Sequence, residues 1–346
     1  MTDVTPLPGA VDMHAHLWPR GLVEAAWAGR SWYGYEPSHT PEGKLVIGYG
    51  GRIVPLAVPT VDDIDPENRI AKKASLSIEM EAVMPAGMLW NYDLPAAAAA
   101  DSCREMNHEL ADMQRSYPAN FRALATVPMQ DEKRAIAEVD FCVDTLGLRN
   151  FAVGSAVNGA NLDDPTVIPV LDHMASRGCS FNVHPQYWEK LGLERFPRHL
   201  FGTSLGTHFE AALTTASLIC SGILDRYPQA RIGVTHGAGS LQFAIGRLDA
   251  VYRLRPATRT TEEPPSAYLR RLYYDCLVHD EKSLQLLLAR VGTDRVVVGT
   301  DFPFDWDSPG GSANWLASLD FLTDEDKRLM LAGNARRFLG IEQPAG

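Results

Sequence analysis

The sequence predicts an α/β fold in which eight parallel strands and their connecting helices close into a (β/α)8 TIM barrel. Short runs rich in valine, isoleucine, phenylalanine and small residues alternate with longer helical patterns, as expected for strands buried on both faces. Eight such runs occur within 346 residues, an ordinary length for this barrel once insertions are allowed. A doubly wound open sheet is the alternative that strand counting leaves open.

The predicted elements follow the alternation along the chain. An alanine-rich run after Pro95 is typical of the first turn of a helix. Strands are predicted at 10–16, 78–85, 121–129, 151–155, 179–185, 231–237, 272–276 and 295–303, and helices at 95–116, 131–146, 165–177, 209–226, 238–253, 281–291 and 324–339.

Three segments do not fit the alternation. Residues 18–68 contain tryptophan, tyrosine, glycine and proline throughout with little helical periodicity, and residues 186–208 and 254–266 are also irregular. Long insertions in a barrel usually form lids, small subdomains or oligomer contacts. The sequence therefore predicts a single domain over 1–346, with 18–68 as a lid or small subdomain inserted after strand one.

Composition excludes several classes of function. A net charge of −11 disfavours nucleic acid or an anionic membrane as a partner. Five widely spaced cysteines without a CxxC pair indicate reduced thiols. The N-terminal residues do not resemble a signal peptide, and no run of 18 apolar residues occurs. These features predict a cytoplasmic protein.

A histidine pair in the stretch VDMHAHLWP, residues 11–19, is the first candidate site. On a strand, His14 and His16 point to the same face roughly 6–7 Å apart. Both rings can then reach one metal ion at about 2 Å. Such a pair alone is a weak signal, because it is more often structural.

Three further polar residues end buried strands. His184 closes FNVHP, His236 closes IGVTHG and Asp301 lies in VVVGTDFP. In a parallel barrel these positions lie at the carboxyl-terminal rim, where active sites are found. A carboxylate in that place needs a cation or hydrogen-bond donors to offset its desolvation. Strands one, five, six and eight thus deliver metal-binding side chains to one rim.

These motifs, in this order, resemble the amidohydrolase superfamily. The resemblance is densest in THGAGSLQFAIGRLD (235–249), LVHDEKSLQLL (277–287) and DRVVVGTDFPF (294–304). More narrowly, the chain is similar to the metal-dependent, non-oxidative decarboxylases that include 2-amino-3-carboxymuconate-6-semialdehyde decarboxylase. The resemblance extends over nearly the whole chain and implies a barrel of the amidohydrolase type.

The resemblance implies a role for each residue of the rim. His14, His16, His184 and Asp301 match the ligands of one divalent ion, with zinc favoured and manganese, iron or cobalt tolerated. The fourth strand reads FAVGS, without the carboxylated lysine that bridges two metals. His236 matches a general acid/base beside the metal. A fourth metal ligand or a hydrogen-bond donor is the alternative for His236.

Two arginines match residues that bind substrate carboxylates. Arg247 matches an arginine that a neighbouring subunit contributes, although a salt bridge with Asp249 is the ordinary interpretation. It lies about 14 Å along its predicted helix, too far to reach its own metal, which predicts a homodimer. Arg52 is the match to the second arginine, and Ile47 is the alternative at that position.

The chain also departs from the family pattern. The Trp-Asp pair that follows the fifth-strand motif is replaced by Gln186 and Tyr187, and a tryptophan expected near 199–201 is absent. The substrate is therefore expected to be a small carboxylate, without a commitment to aminocarboxymuconate semialdehyde itself.

The resemblance favours a lyase that removes CO₂ from an unsaturated or aromatic carboxylic acid. A hydrolase or hydratase acting on C–N, C–C or C=C bonds is the alternative on the same scaffold, since fold does not decide function. A fold kept for binding or assembly is the non-enzymatic alternative, and His236 disfavours it because a structural site needs no proton shuttle.

Overall fold

Eight parallel strands form a closed ring in the computed structural model, which describes residues 7, 9–54, 56–90, 92–187, 190–196, 198–304 and 311–341. The strands pair in order as two sheets, β1 to β3 and β4 to β8. Isolated bridges join the sheets, from Ala125 to Phe151 at one seam and from Asp12 to Val298 and Ala15 to Phe302 at the other. The strands are β1 Ala10–Leu17, β2 Ile78–Pro85, β3 Phe121–Ala123, β4 Asn150–Gly154, β5 Ser180–His184, β6 Arg231–Val234, β7 Tyr273–Asp275 and β8 Val296–Val297. The predicted barrel is confirmed, and the open sheet is excluded.

The strands are buried because both of their faces are covered. Every residue of β1, β4 and β5 is buried, as expected for strands covered on both faces, and in β1 this includes the polar Asp12, His14 and His16. Two strands are much shorter than predicted: β3 ends at Ala123 and β8 at Val297. Beyond β8 the backbone turns at Asp301, whose φ of 57° is left-handed, so regular pairing stops before the carboxyl-terminal rim.

The helices surround the barrel, and none of those described is long and apolar enough to cross a membrane. The predicted helix 209–226 is two helices, because Gly222 adopts a left-handed φ of 71° between them. The predicted helix 238–253 begins later, at Leu241. The helices are α1 Arg20–Trp27, α2 Pro66–Ala74, α3 Ala96–Ser116, α4 Glu132–Phe141, α5 Ile168–Ser176, α6 Thr207–Cys220, α7 Ile223–Arg226, α8 Leu241–Leu254, α9 Glu281–Val291, α10 Ser312–Ser318, α11 Asp324–Arg328 and α12 Asn334–Leu339.

The insertion after β1 has its own regular structure. It contains α1 and an antiparallel sheet of three short strands, Glu36–His39, Leu45–Tyr49 and Arg52–Val54. Its apolar side chains pack into a separate cluster that includes Met88 of the barrel. The sequence interpretation missed α1 because eight residues give too few turns for a clear 3.6-residue period.

Candidate metal centre

Three histidines at the carboxyl-terminal rim share one hydrogen-bonding pattern. The Nδ1 atom of His14 lies 2.7 Å from Asp275 Oδ2. Nδ1 of His16 lies 3.3 Å from the Pro85 carbonyl oxygen, and Nδ1 of His184 lies 2.8 Å from the Pro185 carbonyl oxygen. Each acceptor favours the tautomer in which Nδ1 carries the proton, which leaves the Nε2 lone pair available.

The three rings and one carboxylate converge on a single point. Ligand atoms of His14, His16, His184 and Asp301 all lie within 4.8 Å of one another, and all four residues are buried. Nε2 of His14 and Nε2 of His184 are buried without a hydrogen-bond partner among the described residues. A buried polar atom without a partner is costly. Three nitrogens and one oxygen aimed inward fit one divalent ion.

Backbone hydrogen bonds hold Asp301 against β1. The Asp301 N–H donates to the His14 carbonyl oxygen at 2.8 Å, and the His16 N–H donates to the Phe302 carbonyl oxygen at 2.7 Å. The Asp301 carboxylate thereby lies 2.9 Å from Nε2 of His16 and 3.3 Å from Nε2 of His14. The left-handed φ at Asp301 is a strain of the kind that clusters at functional sites.

The electrostatics of the cluster favour a cation. Burial alone lowers the pKa of the His14 imidazole, but the carboxylates of Asp301 and Asp275 outweigh it and raise that pKa to about 10. Burial alone raises the pKa of Asp301, but the imidazoles of His14 and His16 hold it well below its usual range. Asp301 is therefore ionised and offers a negative charge beside Nε2 of His14 and His16, where a metal ion would bind in place of a proton.

Asp275, at the end of β7, connects several parts of the site, and the sequence interpretation did not single it out. Its Oδ2 faces Nδ1 of His14, while its Oδ1 accepts from the Gly237 N–H at 3.0 Å and the Leu277 N–H at 3.2 Å. It orients a metal ligand and fixes the turn that carries His236. The signal that could have found it is the one used for Asp301, a carboxylate that ends a buried strand.

Replacing Asp275 with alanine is expected to weaken metal binding by about ten- to a hundredfold, the usual scale for loss of a partner that orients a ligand histidine. Competition with a metal-sensitive dye measures the affinity. Asp275→Asn keeps the shape of the side chain, and the exposed Asp320→Ala is the matched control. A folded Asp275→Ala variant with wild-type metal affinity would show that the hydrogen bond to His14 is not needed.

His236 lies beside the four ligands and is not one of the set that converges. Its ring centroid lies 5.0 Å from that of His14 and 5.4 Å from that of His184. Burial, reinforced by the charge on His14, lowers the pKa of His236 to about 3. The imidazole is therefore neutral at neutral pH and is able to accept a proton.

The turn after β6 imposes the position of His236. His236, Gly237 and Gly239 all have left-handed φ values, between 54° and 57°. A Cβ atom on Gly239 would lie 2.0 Å from the His208 carbonyl oxygen, so only glycine fits there. This explains the glycines that follow His236 in the sequence THGAG.

The site opens into a cavity of about 490 Å³, a size suited to a small-molecule ligand. Its walls combine His184, Asp301 and His236 with parts of two irregular segments. The insertion after β1 contributes Leu56, and the segment after β5 contributes Tyr187 and Lys190. Gln186, the other departure from the family pattern, lies behind the wall and donates from Nε2 to the Trp90 carbonyl oxygen at 2.8 Å.

Neither predicted arginine is among the described residues that line this cavity. Arg52 is exposed at the end of the insertion's sheet, 3.4 Å from Asp93. Arg247 is exposed on α8, and Asp249, its alternative partner, instead accepts a hydrogen bond from the Ser266 N–H. Ile47, the alternative to Arg52, is buried within the insertion.

Comparison with known proteins agrees with the geometry. The amidohydrolase family model matches residues 11–341. The chain belongs to the amidohydrolase family. Among its amidohydrolase relatives, 2-amino-3-carboxymuconate-6-semialdehyde decarboxylase of Dictyostelium discoideum is 29% identical over 96% of this chain and 92% of its own. Gamma-resorcylate decarboxylase of Polaromonas sp. is 26% identical over 74% of this chain and 83% of its own.

A solved structure confirms the amidohydrolase barrel. Metarhizium anisopliae IDCase in apo form superposes with a TM-score of 0.80, at 20% identity over 98% of each chain. At that identity the likeness establishes the fold.

Proposed function

We propose that this amidohydrolase is a metal-dependent carboxy-lyase that removes CO₂, without oxidation, from an unsaturated or aromatic carboxylic acid. The observation that carries the proposal is the convergence of His14, His16, His184 and Asp301 beside the buried His236. His184, Asp301 and His236 line one cavity. Both curated relatives described above are decarboxylases by name. His236 gives the site a proton carrier, which the reaction needs.

The reaction balances with one proton. The C–C bond to the carboxylate breaks, its electron pair stays on the substrate carbon, and CO₂ leaves. His236, as a neutral imidazole, accepts a proton from water and then delivers it to that carbon. When bound, the divalent ion supplies Lewis acidity to an oxygen of the substrate. The four converging residues would hold the ion in place.

We propose zinc as the ion, with manganese as the alternative. Three imidazole nitrogens and one carboxylate oxygen are donor types that zinc binds. The same donor set also accepts manganese, so elemental analysis of protein purified without added metal separates the two.

Release of CO₂ from a panel of acids tests the proposed reaction. We expect metal-loaded protein to release one CO₂ per molecule consumed from a hydroxybenzoate or a carboxylated muconate semialdehyde. A hydrolysis or hydration product without CO₂ would favour the alternative chemistry of the superfamily.

The cytoplasmic location of the protein stays a prediction.

The insertion 18–68 is proposed to act as a small subdomain and wall of the active site within one domain. Leu56 lines the cavity, and the packing of the insertion against Met88 supports this. The role of Arg52 in substrate binding stays a prediction, and it would require the exposed side chain to leave Asp93.

The active unit is proposed to be a homodimer in which Arg247 serves the partner's site. Arg247 lies outside the cavity of its own chain among the described residues. The same helix exposes large apolar side chains, with Phe243 86% and Leu254 71% exposed. Exposed apolar residues on one helix are typical of an interface, and a two-fold interface would complete both sites at once.

Mixing two inactive variants tests this dimer. After subunit exchange, His236→Ala and Arg247→Ala chains are expected to regain a fraction of wild-type activity, because each hybrid dimer contains one complete site. Arg253→Ala, on the same helix, is the control and should stay active alone. Absence of recovery after proven exchange would mean that Arg247 does not act across subunits.

A further inference from the structure

Lys190 is the only lysine or arginine among the described residues that line the cavity. It follows β5 in the segment that departs from the family pattern. In the same cavity it faces a space shared with His184, His236 and Asp301. A ligand that fills this space therefore meets two positive centres, the metal and the ammonium group.

The ammonium group of Lys190 has donors to spare. Within the described part of the chain it donates to the Gly202 carbonyl oxygen at the long distance of 3.4 Å. It also lies 5.4 Å from the centre of the Tyr187 ring, at the range of a cation–π contact. An ammonium group has three N–H donors, and these contacts do not use all three.

A buried carboxylate holds this lysine at the cavity. Glu210 of α6 is 3% exposed, and its Oε2 accepts from the N–H of Leu191, the next residue, at 2.8 Å. Burial lowers the pKa of Lys190 to about 8, while the charges of Asp301 and Glu210 favour its protonated form. At neutral pH the Lys190 side chain is therefore mostly protonated. The hydrogen bond from Leu191 to Glu210 fixes the backbone next to it.

We propose that Lys190 binds a second anionic oxygen group of the substrate, apart from the group that contacts the metal. The inference rests on the proposed function and narrows its substrate class to acids with a second carboxylate or an ionised hydroxyl. Lys190 lines this chain's own cavity, and Arg52 is not among the described residues that do. It is a binding and specificity residue with no part in moving the proton.

Binding of two probes to metal-loaded protein tests the proposal without reference to CO₂ release. Benzoate carries one carboxylate, and isophthalate carries a second on the same ring. Calorimetry is expected to show that the wild type prefers isophthalate by about ten- to a hundredfold, the scale of one charge-assisted hydrogen bond. Lys190→Met should lose this preference with unchanged metal content and near-wild-type benzoate binding, whereas Lys190→Arg should retain part of it.

Lys133→Met, an exposed substitution on α4, is the matched control and should behave as wild type. The proposal is overturned if the wild type shows no preference for isophthalate, or if Lys190→Met keeps it. The proposal is also overturned if Lys190→Met loses its metal and binds both probes equally poorly, since Lys190 would then support the metal site. Because no outcome depends on turnover, failure here is distinct from failure of the decarboxylase proposal.

Discussion

Asp301→Ala is expected to lose the metal and, with it, all measurable decarboxylation. The substitution removes the only carboxylate among the four converging ligands and leaves the Nε2 atoms of His14 and His16 without their anionic neighbour. His14→Ala should have the same effect, because it removes the ligand that both carboxylates orient. Elemental analysis and CO₂ release measure the two losses on the same sample.

Two surface substitutions serve as matched controls for these variants. Asp112→Ala and His39→Ala change exposed residues away from the cavity and should keep one metal per chain and full activity. An Asp301→Ala variant that is active without metal would contradict the metal-dependent proposal. Circular dichroism shows whether each variant is folded.

His236→Ala is expected to keep the metal and lose roughly 10²–10⁴-fold in turnover, the usual scale for loss of a general acid or base. The reason is geometric: His236 lies beside the converging atoms and is not one of them. Metal content and turnover, measured together, separate its role from that of the ligands.

His208→Ala is the matched control, since His208 also lines the cavity but its ring centroid lies 6.2 Å from that of His236. It should retain far more activity than His236→Ala. Loss of metal from the His236 variant would make His236 a ligand, and the proposed proton transfer would then be wrong.

The barrel and the metal cluster could be predicted because both depend on local patterns. Strands buried on two faces leave apolar runs, and His184 and Asp301 interrupt those runs where each strand reaches the rim. A single residue separates His14 from His16, so strand geometry alone places both side chains on the same face.

The missed features depend on contacts between distant segments. Asp275 ends β7, much as Asp301 is predicted to end a strand, but its contact with His14 becomes visible only when β7 and β1 are brought close by barrel closure. Lys190 lies in an irregular segment, where no period tells which side chains face the cavity. For the same reason, sequence similarity could not show that Arg52 is exposed beside Asp93.

Titration of metal-free protein with zinc or manganese, with CO₂ release as the readout, tests the one-metal carboxy-lyase most directly. The four ligands form one cluster in the described residues, so CO₂ release should rise linearly with added metal and stop rising at about one ion per chain. A break at two ions per chain, or full CO₂ release before any metal is added, would contradict it.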